Sequence, residues 1–201
     1  MIRLTRTSSP APAPTRLDGK LVFLRPPQAD EWSAWAELRS VSRDFLVPWE
    51  PTWPADALSE TAYLRRIRRL MTEWKTDDGY SFHVFDRQRG RLVGGIGLTQ
   101  VRRGVAQMAT LGYWVGEPFE RRGYTTEAVR LIVHFALNSL QLHRVEAACL
   151  PENIPSRRVL EKAGFVREGY ARLYLKIAGE WRDHLTFALL KEDLDGEASG
   201  S

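Results

Sequence analysis

The feature that most constrains the fold is a strand–helix–strand pattern in the second half of the sequence. A short strand is predicted over residues 109–115, an amphipathic helix over 126–140 and a buried strand over 144–150. Two strands that are joined by a helical crossover run parallel within one sheet, and helices must cover that sheet. The chain is therefore predicted to contain at least one parallel strand pair.

Antiparallel hairpins are predicted on either side of this crossover. Their strands cover residues 21–25, 80–86, 91–99, 165–176 and 180–190, and the further helices cover 28–40, 57–75 and 153–163. The spacing of the apolar residues supports these assignments. Hairpins that flank a parallel pair predict an α/β (mixed α+β) fold, with a mixed central sheet and helices on both faces.

The length and composition suit one globular domain. Of the 201 residues, we assign 16–192 to the domain, 1–15 to a flexible N-terminal tail and 193–201 to a polar C-terminal tail. The lone Cys149 excludes an internal disulfide, and no apolar run approaches the roughly 18 residues of a membrane span. We therefore expect a cytoplasmic protein. The net charge of +4 decides nothing by itself, and neither direct DNA binding nor membrane contact is expected.

The loop that leads into the crossover helix has the features of an anion site. Its sequence is Glu120-Arg121-Arg122-Gly123-Tyr124-Thr125, followed by Thr126. Backbone N–H groups at a helix N-terminus attract anions, and Gly123 allows a phosphate to approach the backbone closely. Arg121 and Arg122 add positive charge, and Thr125 or Thr126 can cap the helix. An ordinary capped helix beside two solvated arginines would show the same residues, so the loop alone leaves both interpretations open.

The helix predicted over residues 153–163 is also ordinary when it is taken alone. Asn153 suits its N-cap, Pro155 is tolerated in its first turn and Gly164 suits its C-terminal cap. Together, in this order and spacing, the loop and this helix resemble the GNAT superfamily of acyl-CoA N-acyltransferases. Further motifs at residues 45–51, 111–113, 168–171 and 179–184 resemble its bacterial branch that acetylates the N-terminal alanine of a ribosomal protein.

The resemblance covers residues 16–190 and implies a GNAT-like fold, with acetyl-CoA as the co-substrate and no metal. Two features depart from the family pattern. Glu120 and Thr125 occupy the first and last places of the loop, where the family usually has Gln or Arg and Gly or Ala. Leu160 stands where many members carry a tyrosine general acid, which excludes a tyrosine acid at that place.

The resemblance also implies roles for individual residues. Backbone N–H groups of the loop hold the pyrophosphate, and one near Trp114 or Val115 polarises the thioester carbonyl. Asn153 bonds the pantetheine arm, and Ser156 lies near the sulfur and donates the proton. Glu50 is the candidate for gripping or deprotonating the acceptor amine. The predicted catalytic set is Ser156, Asn153 and Glu50; the predicted acceptor-binding set is Trp49, Glu50 and Tyr174; and the predicted cofactor-binding set is Trp114, Val115, Arg121, Arg122, Gly123, Tyr124, Thr125, Thr126, Asn153, Ser156 and Arg158.

Purely structural interpretations of these residues stay open. Ser156 could be an N-terminal helix residue with a local backbone bond, and Glu50 could be a solvated loop carboxylate. The second helix carries Arg65, Arg66, Arg68 and Arg69 opposite its apolar residues, and a solvated basic face is the simplest interpretation. The histidines at positions 83, 134, 143 and 184 are scattered, and no hydrolase, metalloprotease or nucleotide-binding motif is present.

Three functions therefore remain possible. They are an N-terminal protein acetyltransferase, a small-molecule amine acetyltransferase for an aminoglycoside, polyamine or amino acid, and a non-catalytic acyl-CoA- or ribosome-binding module. An α-amine has a pKa of about 7.7–8.0, so roughly a tenth is neutral at pH 7, whereas lysine has a pKa near 10.4. A protein N-terminus thus needs only a weak base. The aromatic loop around Trp49 and the basic second helix favour a protein or ribosomal acceptor, bound by a monomer or homodimer.

Overall fold

The computed structural model describes residues 15–198, in which eight strands form one sheet. In chain order the strands are β1 (Leu17–Asp18), β2 (Val22–Arg25), β3 (Tyr80–Asp86), β4 (Leu92–Arg102), β5 (Met108–Val115), β6 (Arg144–Cys149), β7 (Val166–Ile177) and β8 (Glu180–Leu190). Their spatial order is β1-β2-β3-β4-β5-β6-β8-β7, and β5 with β6 is the parallel pair among them. The predicted mixed sheet is therefore confirmed.

Helices fill the connections between these strands. They are α1 (Trp32–Val41), α2 (Arg43–Leu46), α3 (Glu60–Lys75), α4 (Tyr124–His134), α5 (Ile154–Lys162) and α6 (Lys191–Ala198). Short 3-10 turns cover Ala29–Glu31, Val47–Trp49 and Glu117–Phe119, and a π-helical turn, Phe135–Ser139, extends α4. The α4 unit is the crossover that the parallel pair requires.

The parallel pair is short, and this opens the sheet. β5 and β6 are in register only over residues 108–111 and 144–147. Beyond Leu111 the last residues of β5 no longer pair with β6. In contrast, β6 continues its antiparallel pairing with β8 as far as Cys149. The carboxyl ends of β5 and β6 therefore diverge, and α4 and α5 begin at the two sides of the gap.

The core lies on both faces of the sheet. Seven consecutive residues of β4, from Leu92 to Leu98, are buried, which requires cover above and below because strand side chains alternate between faces. On α3 the apolar stripe predicted from the sequence is buried except for Met71, which is exposed, and Trp74 packs edge-on against Tyr80 and Phe82. The predicted arrangement of helices on both faces is confirmed.

Several boundaries differ from the sequence prediction, most clearly at the C-terminus and at the first helix. The chain after Asp193, expected to be a polar tail, continues as α6. Its start is fixed because the Asp193 carboxylate accepts the Leu190 N–H at 2.9 Å, and Leu194 packs against the core. The helix predicted over 28–40 begins as a 3-10 turn and becomes α-helical at Trp32. Residues 1–14 of the predicted N-terminal tail lie outside the described residues.

Candidate functional site

The loop before α4 forms a cradle of backbone N–H groups. Arg121 and Gly123 adopt left-handed backbone conformations, with φ of +58° and +82°, and α4 begins directly at Tyr124. Within residues 15–198, the N–H groups of residues 122–125 have no hydrogen-bond partner. Gly123 is the N-cap and no side chain caps the helix, so the predicted capping by Thr125 or Thr126 is wrong. The helix begins earlier than predicted, which places both threonines inside its first turn.

Two side chains, Glu127 and Ser42, hold the start of α4 and the turn before it in place. The Glu127 carboxylate, in the first turn of α4, accepts the N–H groups of Lys20, Leu21 and Val22 at 2.8, 2.7 and 2.8 Å. The buried Ser42 hydroxyl accepts the Glu117 N–H at 2.9 Å. The start of α4 is thus fixed to the β1–β2 turn and to α1. Sequence reasoning missed Glu127, because its partners lie more than 100 residues away in the chain.

The β4–β5 ladder decides which N–H groups face the gap. Gly116 donates its N–H to β4 at 2.9 Å, and Trp114 is the register partner of Gly95. Because hydrogen-bonding direction alternates along a strand, the N–H groups of Tyr113 and Val115 point away from β4, toward the side that β6 has left. Of the two donors considered from the sequence, Val115 therefore faces the gap, whereas Trp114 belongs to the ladder.

The absence of a side chain at Gly95 leaves room for the Trp114 indole. A Cβ atom at position 95 would lie 2.4 Å from Trp114 Nε1, so the indole occupies the space that any side chain there would need. The Arg39 guanidinium lies 4.9 Å from the centre of the Trp114 ring, a cation–π distance. The indole therefore forms part of the wall between the gap and the cleft described below.

The start of α5 brings Asn153 and Ser156 to the other side of the gap. Asn153 Oδ1 accepts the Ser156 N–H at 3.0 Å, as predicted for an N-cap, which leaves the Asn153 amide NH₂ free to donate elsewhere. The Ser156 hydroxyl lies 2.8 Å from the Tyr113 hydroxyl, which also donates to the Ser156 carbonyl at 3.2 Å. Two hydroxyls thus bridge β5 and α5 across the gap.

The surroundings keep this cluster uncharged. Burial of the Tyr113 hydroxyl raises its pKa well above the ordinary value, and the hydrogen bond to Ser156 opposes that only in part. Burial raises the pKa of the neighbouring Cys149 thiol to about 11. Tyr113 therefore stays a neutral donor at physiological pH. No local pattern predicts its pairing with Ser156, because the contact joins residues 43 apart in the chain.

A large cleft opens beside the gap. Its volume is about 670 Å³, and α1, α3, the 50–57 loop and strands β3 to β5 form its walls. A small cavity under the start of α4 shares four of its lining residues: Gly95, Ile96, Tyr113 and Trp114. The loop before α4 and the cleft therefore meet at Tyr113 and Trp114, where a group held on one side can contact a group held on the other.

Glu50 lines the cleft, but its carboxylate is fully engaged. Both of its oxygens accept hydrogen bonds from Arg39, at 2.8 and 2.6 Å, and the second also accepts the Trp53 Nε1–H at 2.7 Å. Its carbonyl accepts the Ala178 N–H at 2.9 Å, which ties the loop to the β7–β8 turn. The structure thus gives Glu50 a clear anchoring role. Sequence reasoning missed Arg39, which lies eleven residues away on α1.

The other predicted acceptor-binding residues do not join Glu50. Trp49 is not among the residues that line the cleft, whereas Trp53, four residues later in the same loop, is. Tyr174 lies on the edge strand β7, half-exposed, with its ring against His184. Arg158, in the middle of α5, and Arg121, in the loop before α4, are exposed. Glu120 is exposed as well.

The basic side of α3 borders the cleft. Ala62, Arg65, Arg66 and Arg69 lie on one side of the helix and line the cleft, whereas Arg68 does not. All four arginines are exposed, as the solvated-face interpretation predicts, and three of them also border the cleft. The spacing of these residues could have indicated a shared face, but not what that face covers.

The described part of the chain shows neither a metal-ligand cluster nor a membrane-spanning helix. Among the side chains that the structure describes, those of residues 15–194, no group of three or more His, Cys, Asp and Glu is arranged to hold a metal ion. None of the helices described there combines the length and the apolar character needed to cross a lipid bilayer.

Comparison with known proteins gives consistent matches. A family model described as an acetyltransferase (GNAT) domain matches residues 22–166. A Bacillus subtilis protein named "Probable N-acetyltransferase YjcK" is 38% identical over 177 residues, which cover 88% of this chain and 98% of that protein. The Escherichia coli [ribosomal protein uS5]-alanine N-acetyltransferase is 30% identical, over 82% of this chain and 84% of that protein.

A solved structure matches nearly the whole chain. It is Mycobacterium smegmatis RimJ in complex with CoA-disulfide, with a TM-score of 0.85 and 30% sequence identity. The match covers 95% of this chain and 98% of that one.

Proposed function

The chain belongs to the GNAT family of acetyltransferases, and from this we propose that it transfers the acetyl group of acetyl-CoA directly to the α-amine of a protein N-terminus, with alanine as the first residue. The predicted enzyme class, an N-acyltransferase, is confirmed by the family match and by the named relatives. The acceptor is proposed because one relative is named for acetylating an alanine of ribosomal protein uS5. A ribosomal protein is accordingly the partner that we propose.

One observation carries the choice of an α-amine. Each carboxylate in the lining of the cleft is already paired: Glu50 with Arg39, and Asp56 with Arg65 at 2.7 Å. His83 also borders the cleft, but its buried ring is already hydrogen-bonded to the Glu31 carboxylate. Burial also lowers the pKa of the His83 imidazole. The described lining therefore offers no strong base. An α-amine needs little help, because its pKa is about 2.5 units below that of lysine.

The cofactor is proposed to bind across the gap between β5 and β6. The free N–H groups of residues 122–125 suit a pyrophosphate, and the exposed Arg121 and Arg122 lie beside them, with Thr126 in the same turn. The Asn153 amide suits a carbonyl of the pantetheine arm, and Arg158 is exposed on the same helix. The Val115 N–H faces the gap, where it would stabilise the thioester oxygen as negative charge develops.

Ser156 and Tyr113 are proposed to supply the proton. The neutral amine attacks the thioester carbon, the C–S bond breaks, and the leaving sulfur takes a proton from the Ser156 hydroxyl. Tyr113, at 2.8 Å, replaces that proton, and solvent returns to Tyr113 the proton that the amine has lost. This path needs no tyrosine at position 160, where the chain has leucine.

A thiol-release assay with acetyl-CoA tests the proposal. Peptides that begin with alanine are compared with aminoglycosides, polyamines and free amino acids as acceptors. We expect release with the peptides at a rate far above hydrolysis, and mass spectrometry should place one acetyl group on the α-amine. Release with small amines alone would refute the protein acceptor. No release with any acceptor would indicate a non-catalytic acyl-CoA- or ribosome-binding module.

A small-molecule amine is the second candidate acceptor. The volume of the cleft, about 670 Å³, falls in the range of sites that enclose small ligands, roughly 300–1,000 Å³. The same volume also accommodates the first residues of a peptide, so the amine panel in the assay decides between the two.

A further inference from the structure

The cleft beside the gap carries more positive than negative charge. Four arginines line it, one from α1 and three from α3, together with two carboxylates, Glu50 and Asp56. His83 is the remaining titratable side chain at its border apart from Tyr113, and burial lowers the pKa of its imidazole, which favours the neutral form. An ammonium ion would be repelled by these surroundings, although an amine is what the enzyme must receive.

The arginines differ in how well they are neutralised. Arg39 is held by both oxygens of Glu50, and Arg65 pairs with Asp56. Arg69 lies 3.5 Å from Glu73 on its own helix. For Arg66, no carboxylate among residues 15–194, whose side chains the structure describes, lies within 4.0 Å, so its guanidinium has no ion-pair partner there. The excess charge of the cleft is therefore centred on Arg66.

The helix also provides space beside Arg66. Ala62 lies one turn before it on the same side of α3 and also lines the cleft, so a small side chain adjoins the free guanidinium. A guanidinium binds a carboxylate through two parallel N–H donors, a geometry that an ammonium group cannot offer. The surroundings of Arg66 thus suit an anionic group on the acceptor.

We propose that Arg66, flanked by Arg65 and Arg69, binds an acidic side chain within the first four residues of the acceptor peptide. This inference rests on the proposed peptide acceptor. An extended peptide advances about 3.3–3.6 Å per residue, so a side chain at the second to fourth position can reach the cleft wall while the amine lies near Tyr113. The same positive charge disfavours the ammonium form of the bound amine, which leaves more of it in the reactive neutral form.

The test uses matched peptides that begin with alanine and carry one Asp, Asn or Lys at the second, third or fourth position. For the unmodified enzyme, we expect kcat/KM to be about tenfold higher for Asp than for Asn at one of these positions, because a charge-assisted hydrogen bond is gained. Lys at that position should be the poorest. Raising the salt concentration should narrow the preference, since the interaction is electrostatic and lies in an open cleft.

Variants assign the preference to one residue. Arg66→Gln should abolish the advantage of Asp over Asn, and Arg66→Glu should reverse the order so that Lys is preferred. Arg68→Gln is the matched control, because Arg68 is exposed on the same helix but does not line the cleft. It should keep the Asp preference. Thermal unfolding of each variant checks that α3 remains folded, and the reversal by Arg66→Glu is a result that a loss of structure cannot produce.

The outcomes separate this inference from the proposed function. If all peptides release thiol at equal kcat/KM, or if the preference survives Arg66→Gln, then the role of Arg66 is refuted and the peptide acceptor stands. If no peptide releases thiol while small amines do, then the peptide acceptor is refuted and the inference falls with it.

Discussion

Replacing Ser156 by alanine separates the catalytic use of its hydroxyl from the structural use. The substitution removes the oxygen that lies 2.8 Å from the Tyr113 hydroxyl. Tyr113 keeps a second acceptor, the main-chain carbonyl of residue 156 at 3.2 Å, and the cap from Asn153 reaches a main-chain N–H that alanine retains. No buried polar group is left without a partner, so the free energy of unfolding should fall by only about 1 kcal/mol.

The kinetic effect should be much larger than the effect on stability. Loss of a positioned proton donor reduces turnover by about 10²- to 10⁴-fold, which corresponds to roughly 3–5 kcal/mol of the activation barrier. A loss of turnover near 10²-fold is expected here, because Tyr113 remains close to the gap and can protonate the sulfur slowly. The KM for acetyl-CoA should change little, since the pyrophosphate is proposed to bind at the α4 loop.

Thiol release is measured at saturating acetyl-CoA and saturating peptide, together with thermal unfolding. Ser33→Ala is the control, because Ser33 is an exposed serine in the first turn of α1. Tyr113→Phe in the same assay should cost less than Ser156→Ala, since it removes the residue that is proposed to restore the proton and not the one that donates it. Unchanged turnover in Ser156→Ala would remove Ser156 from the chemistry.

Three further predictions concern the supports of the site. Gly123→Ala should destabilise the fold by about 1 kcal/mol and raise the KM for acetyl-CoA, because φ is +82° at a position where a Cβ meets only Leu21, at 3.5 Å. Glu127→Gln should lower the free energy of unfolding in urea by about 1–3 kcal/mol, since three N–H groups lose a charged acceptor. Burial lowers the pKa of His83, so the unfolded chain binds a proton near pH 6.5 that the folded chain does not; the melting temperature should therefore fall as the pH drops below about 6.5, and His83→Gln should flatten that fall.

Each of these has a control and a contrary outcome. Gly104 has a similar φ of +67°, and a Cβ atom there would have no heavy atom within 4 Å. Gly104→Ala should therefore lower the stability without changing the KM for acetyl-CoA. An equal KM in Gly123→Ala would remove the loop from cofactor binding. Glu120→Gln should leave the free energy of unfolding in urea unchanged, because Glu120 is exposed. An equally small effect of Glu127→Gln would refute the role of Glu127 in anchoring the β1–β2 turn. A melting temperature with the same pH dependence in His83→Gln would assign the acid sensitivity to other groups.

The sequence predicts the architecture well, because local periodicity and crossover rules determine it. The order of strands and helices, the parallel pair and the cap at Asn153 all depend on residues close together in the chain. The contacts that shape the candidate site do not. Glu127 with the β1–β2 turn, Tyr113 with Ser156, and Arg39 with Glu50 join segments that the fold brings together, and none of them leaves a local pattern.

The arginines of α3 illustrate the same limit. Their spacing shows that they share a side of the helix, but a solvated face and the wall of a cleft have the same spacing. The aromatic loop shows a related limit: the sequence predicts Trp49 as an acceptor-binding residue, whereas the indole of this loop that lines the cleft is that of Trp53. The bend after the 3-10 turn, where Glu50 is extended, turns Trp53 inward, and no local pattern predicts that bend.

The charges around the cleft favour one protonation state of the acceptor. Glu50 and Asp56 are each held by an arginine, so neither is free to accept a proton from an ammonium group or to stabilise one. Arg66 adds a positive charge without an ion-pair partner among the described side chains of residues 15–194, which raises the free energy of a bound ammonium relative to a bound amine. An acceptor that enters such a cleft must already be partly neutral, as an α-amine is at physiological pH, and an anion elsewhere on the acceptor would offset the repulsion. A lysine side chain is not partly neutral at physiological pH and carries no anion of its own. The positive charge of the cleft therefore disfavours lysine as the acceptor without any direct contact.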